Sequence, residues 1–168
     1  MFDLKPLSKN AVPAALAKAE RYRLLNEPMQ AASICEDVLR VEPDNAPARV
    51  ALILALSDEF GGAEQASALT RARALLPGLP TEYERAYYAG ILAERRGLAL
   101  VEHGAAGSSF SAYQALREAM DLFEQAEAVR PPDNDDAILR WNACARVLMR
   151  NPHLRARADE RDMPLALE

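Results

Sequence analysis

At 168 residues the chain is long enough to bury a core without help from disulfides or metals, and its content of 50% apolar and 27% charged residues is that of a globular domain. A net charge of −5 and a pI near 5.2 argue against a nucleic-acid partner, whose phosphates draw affinity from a basic patch. Aromatic residues make up 6% of the chain and alanine supplies much of the apolar share, which favours helix over strand, so the expected class is all-α.

Residues 1–11 form an N-terminal extension. Its start, Met1-Phe2-Asp3-Leu4-Lys5-Pro6, lacks the cationic beginning and long apolar run of a signal peptide. No later stretch approaches eighteen apolar residues without a charge, so no membrane contact and a cytoplasmic location are expected. From Val12 the pattern is helical, with Ala19 at a small position and Tyr22 at an aromatic one. A second helix turns Ala31, Cys35 and Val38 inward and stops before Pro43, because proline removes a donor and clashes with the preceding turn. The next unit, Ala46 to Gly78, carries Leu52, Ile53, Leu56, Leu69 and Ala72. It turns at Gly61-Gly62 and stops at Pro77, 34 residues after Pro43. Asn45 stands where it can cap the helix that follows Pro43.

The third unit is longer. Glu82 to His103 reads as one helix containing Ala86, Ala89, Gly90 and Ala93. The run Gly104-Ala105-Ala106-Gly107-Ser108-Ser109 then turns the chain into a helix from Phe110 to Val129, closed by Pro131. A last helix holds Trp141, Cys144, Ala145 and Leu148 and is cut by Asn151-Pro152. Residues 151–168 read as a C-terminal tail, mobile from His153 to Glu168.

The 34-residue spacing and the order of small, aromatic and alanine positions resemble the tetratricopeptide repeat family over Val12 to Arg150. The resemblance implies a short right-handed superhelix of antiparallel helix pairs. It would contain about three units in a domain spanning 12–150, followed by a C-terminal capping helix whose Arg140, Arg146 and Arg150 face solvent. It also implies a concave face built from the first helix of each unit. By analogy and helical spacing that face carries Leu16, Glu20, Arg23 and Leu24, then Val50, Leu54 and Asp58, then Glu84, Tyr87, Ile91 and Glu94. Apolar anchors with a charged rim suit an amphipathic helix or an extended apolar peptide. The same aliphatics could instead complete the core, or be covered by Phe2, Leu4 and Leu7. The chaperone-tail subclass of the family needs Lys, Asn and Arg on the concave face. Leu16, Glu20 and Ala51 stand there, which argues against an acidic tail as ligand.

Helices of the third unit that overrun the usual length by about two turns would project from the stack by of order 10 Å. Tyr83, Phe110 and Tyr113 on that hairpin, residues 82–130, are candidates for a homodimer contact. Aromatic packing inside the hairpin is the alternative for Tyr88 and Tyr113.

No catalytic, metal or cofactor site is expected. The segment from His103 to Ser109 has neither the lysine nor the preceding strand of a phosphate-binding loop, and His103 at a helix end suits the dipole. His153 lies fifty residues away with no nucleophile beside it in sequence. Asp133, Asp135 and Asp136 lack the glycine and terminal glutamate of a calcium loop and read as a helix cap. Cys35 and Cys144 form no CxxC pair and are expected as buried thiols. The expected function is therefore non-enzymatic: an adaptor or scaffold holding a protein or peptide. A self-associating structural protein is the alternative.

Overall fold

The structure, a computed structural model, describes residues 2–62, 65–103 and 108–154. Among them are seven α-helices: α1 (Val12–Leu24), α2 (Pro28–Val41), α3 (Ala46–Asp58), α4 (Gln65–Leu75), α5 (Glu82–His103), α6 (Ser109–Ala128) and α7 (Asp136–Arg150). No strand occurs among the described residues, so the all-α class holds. The glycine-rich turn at 104–107 and the tail from 155 onward lie outside them.

Local chemistry sets the helix boundaries. Proline occupies the first turn of α1, α2 and α3, where its missing N–H would have had no helical partner. Asn45 caps α3: its side-chain oxygen accepts from the Ala48 N–H at 2.8 Å, and its amide donates to Glu42 at 2.7 Å. Pro43, Pro77 and Pro131 follow α2, α4 and α6, the stops that sequence spacing predicts. Gly61 supplies the positive φ of 111° that turns the chain between α3 and α4, as expected. Arg49 of α3 ties two of these endings together, donating to the Pro43 carbonyl at 2.6 Å and to the Gly78 carbonyl.

Each helix from α1 to α6 packs on the next in sequence, and α1 also meets α3, as α3 meets α5. The interior divides into two main clusters sharing α5 as a wall. Leu92 joins Ala19, Ala31, Cys35, Ile53, Leu56 and Ala72 on one side. Ile91 joins Leu116, Ala119, Phe123, Ala137 and Cys144 on the other. α5 and α6, at 22 and 20 residues, exceed the 11 to 14 of the first four helices. They approach closely because α5 carries glycine at the contacts: a Cβ on Gly90 would stand 2.6 Å from the Phe123 ring, and one on Gly97 2.8 Å from Leu116. At its far end α5 places His103 against the α3–α4 turn at Gly61.

The chain does not leave the fold at residue 151, because Asn151 bonds back to the Val147 carbonyl and Leu154 is buried in the second cluster. Both cysteines are buried free thiols, and burial pushes Cys35 up to about 11 and Cys144 up to about 12.

Candidate functional site

Where α1 and α3 lie side by side, residues three and four apart on each helix face outward together. Leu16, Glu20 and Arg23 from α1 and Val50, Ala51 and Leu54 from α3 line one cavity of about 410 Å³. Five of the residues expected on the concave face thus converge: Leu16, Glu20, Arg23, Val50 and Leu54. Leu24, one residue past Arg23 at the end of α1, is 83% exposed. Glu20 is exposed and makes no ion pair among the described residues.

The floor of this cavity is tied at one end. Arg23 Nε donates to Asp58 Oδ2 at 2.8 Å, and Arg95 of α5 donates to the other Asp58 oxygen. Arg95 also donates to Ser57 Oγ at 2.7 Å and to the Leu54 carbonyl at 3.2 Å. One carboxylate therefore joins α1, α3 and α5, with two cations sharing its charge. Arg23 and Asp58 are about one-fifth exposed, so water screens this network only in part. Arg95 has no signal in the sequence, since its role depends on where α5 lands against α3.

The α5 positions depart from expectation. Ile91 and Glu94 do not face a groove; both are buried, Ile91 in the second cluster and Glu94 beneath Arg140 of α7. Ile91 lies in the cluster that α6 and α7 complete, and Arg140 of α7 reaches over Glu94. Glu94 is 3% exposed and accepts from Arg140 Nη1 at 3.4 Å. Burial raises its pKa above the ordinary carboxylate range, and Arg140 and Arg95 oppose that shift without cancelling it. Burial also works against the Arg140 charge, but Glu94 and Tyr87 more than offset it.

Tyr87 is half-buried in an aromatic group. Its ring stacks on Tyr83 at 5.5 Å, meets Tyr88 edge-on at 5.2 Å and lies 5.9 Å from Phe123. Tyr83 also donates its hydroxyl to Asn134 Oδ1 at 3.1 Å, which ties α5 to the loop before α7. Tyr113 is half-buried against the second cluster, and Phe110 is half-buried near the start of α6. Glu84 is occupied as well. Its carboxylate accepts from the Thr81 N–H and hydroxyl while Thr81 Oγ accepts from the Glu84 N–H, a reciprocal cap of α5. The run Thr81-Glu82-Tyr83-Glu84 carries that signature in the sequence.

The acidic run before α7 caps it as expected in part: Asp136 lies in the first turn, but the side chain that accepts from the Asp136 N–H is Asn134, at 3.0 Å. The N-terminal extension does not cover the cavity. Phe2 is 99% and Leu4 68% exposed, and Leu7 packs with Val12, Val38 and Ala48. Among the described residues no cluster of side chains could hold a metal ion, and no helix is long and apolar enough to cross a membrane. Compared with protein-family models, curated proteins and solved structures, the chain gives no match.

Proposed function

We propose that the chain is a tetratricopeptide-like adaptor that holds a peptide or amphipathic helix of another protein against α1 and α3. What carries the reading is the convergence of Leu16, Val50 and Leu54, with Glu20 and Arg23 at the edge, on one uncovered cavity. An apolar floor with a few polar groups at its rim is the pattern of helix-in-groove recognition. The contacts of α1 with α3 and of α3 with α5, with proline-stopped α2 and α4 between them in sequence, fit the arrangement such repeats use. The ion network through Asp58 ties α1, α3 and α5 at one end of the groove, and a surface held in place before binding lowers the ordering cost. The reading is non-enzymatic and invokes no cofactor.

The test is a comparative pull-down from the cells of origin with the intact protein, the groove variants Leu16→Glu and Val50→Glu, and Ser33→Glu and Ser67→Glu on exposed positions of α2 and α4 as controls. Partners held by the groove should be lost with the first pair and kept with the second. Retention of every partner by groove variants that still melt cooperatively would end the proposal.

A further inference from the structure

A second concave surface lies on the first hairpin, on a side to which no residue beyond the α2 helix contributes. Leu7, Ala14, Ala15 and Ile34 line a cavity of about 320 Å³ flanked by Lys18 of α1 and Asp37 of α2. Ala14 and Lys18 are exposed, while Ala15, Ile34 and Asp37 are half-buried. Lys18 has no ion-pair partner among the described residues, and Asp37 has only an exposed contact with Arg40, 3.5 Å away and three residues on. The extended arm leading to Leu7 leaves Phe2 and Leu4 largely uncovered. Phe2 and Leu4 precede by five and three residues the Leu7 that lines the hollow, and apolar surface that is exposed and contiguous is the kind that marks an association surface.

We infer that this face binds the same face of a second copy of the chain, with Lys18 of each copy opposite Asp37 of the other. A two-fold interface places one patch on itself, so it requires a patch that is self-complementary. Here the positive edge belongs to α1 and the negative edge to α2, with the apolar hollow between them. A half-turn about an axis through the hollow brings each cation to the partner's anion and closes the two alanine-lined floors on each other. The exposed arms then have the partner's surface to cover. The occupant is specified by charge: a like-charged face would be repelled at both edges, whereas this chain's own face is matched at both. The inference is independent of the groove between α1 and α3, which remains open in such a dimer.

The experiment is sedimentation velocity of the full chain over about 5 to 500 µM, a range suited to the micromolar affinity of a small interface. The wild type is compared with Lys18→Asp, with Asp37→Lys and with their equimolar mixture. Wild type should self-associate, and each reversal should weaken the dimer about tenfold or more, since it places like charges at both edges. The mixture should regain affinity over either variant alone, because the mixed dimer has one edge with the original pair reversed in sign and the other with the wild-type pair. A wild type that stays monomeric throughout, reversals that leave the dimer unchanged, or a mixture no tighter than either variant alone would each overturn the inference.

Discussion

Arg140 of α7 lies over Glu94 of α5, whose side chain is buried and stands 3.4 Å from the guanidinium. The pair joins two helices separated in sequence by the whole of α6, and its acid is held above the ordinary carboxylate range by burial.

The sign of the pH effect follows. In the unfolded chain Glu94 titrates near the usual ~4.3, and in the folded chain at a higher pH. Between the two the folded state binds more protons, so Glu94 makes stability fall as pH rises through that window. Glu94→Gln should remove this component and leave the protein at pH 7 as stable as the wild type or more so. Arg140→Ala leaves a buried carboxylate without its partner and should cost about 1–2 kcal/mol at pH 7. That is less than the ~3–5 of a fully buried pair, because Arg140 is nearly half exposed. Urea unfolding of the three proteins from pH 4 to pH 8 measures both effects.

Gly90→Ala and Gly97→Ala should destabilise, although alanine is the better helix former by about 1 kcal/mol. The added methyl at 90 meets the Phe123 ring at 2.6 Å, and that ring is buried with Tyr87 beside it. At 97 the methyl meets both the Leu116 side chain at 2.8 Å and its backbone nitrogen at 3.2 Å. A net loss of about 1–3 kcal/mol is expected from overpacking. Thermal melts in which either variant gained stability would show that α5 and α6 lie further apart.

Asn134 does two jobs, accepting from the Tyr83 hydroxyl and from the Asp136 N–H. Asn134→Ala should therefore cost more than a helix cap alone, worth about 1 kcal/mol. Tyr83→Phe should reproduce only the hydroxyl's share of that loss. A double-mutant cycle between positions 83 and 134 should give a coupling of about 0.5–1.5 kcal/mol.

Thiolate is the reactive form of cysteine, and burial holds Cys35 at about 11 and Cys144 at about 12. Neither should react with an aromatic disulfide reagent at pH 8 in the native protein, and both should react once it is unfolded. Rapid native modification of either would place it at the surface.

Much of this architecture can be read from punctuation. Prolines 43, 77 and 131 and the turn at Gly61 mark the helix ends because their effects are local, and the limits of α5 follow from an uninterrupted helical pattern. The groove residues on α1 and α3 are legible for the same reason, since a helix fixes which residues share a face. Ile91 and Glu94 are not. Which side of α5 stays open depends on where α6 and α7 dock, a long-range packing outcome that periodicity within α5 does not contain. Arg95 is hidden likewise: its partners Ser57 and Asp58 lie on another helix, and only the offset of α5 against α3 brings them together. Glu84 has a local signature as the partner of Thr81, but helical spacing alone assigns it to the groove.

Whether the groove between α1 and α3 is a binding surface can be addressed directly by site-specific photo-crosslinking in cells. A photoreactive residue at Ala17 or Ala51, both lining the groove, should yield a discrete crosslinked partner of different sequence, and the same residue at exposed Ser33 or Ser67 should not capture that partner. Crosslinks of equal yield from all four positions, or from Ser33 and Ser67 alone, would contradict it.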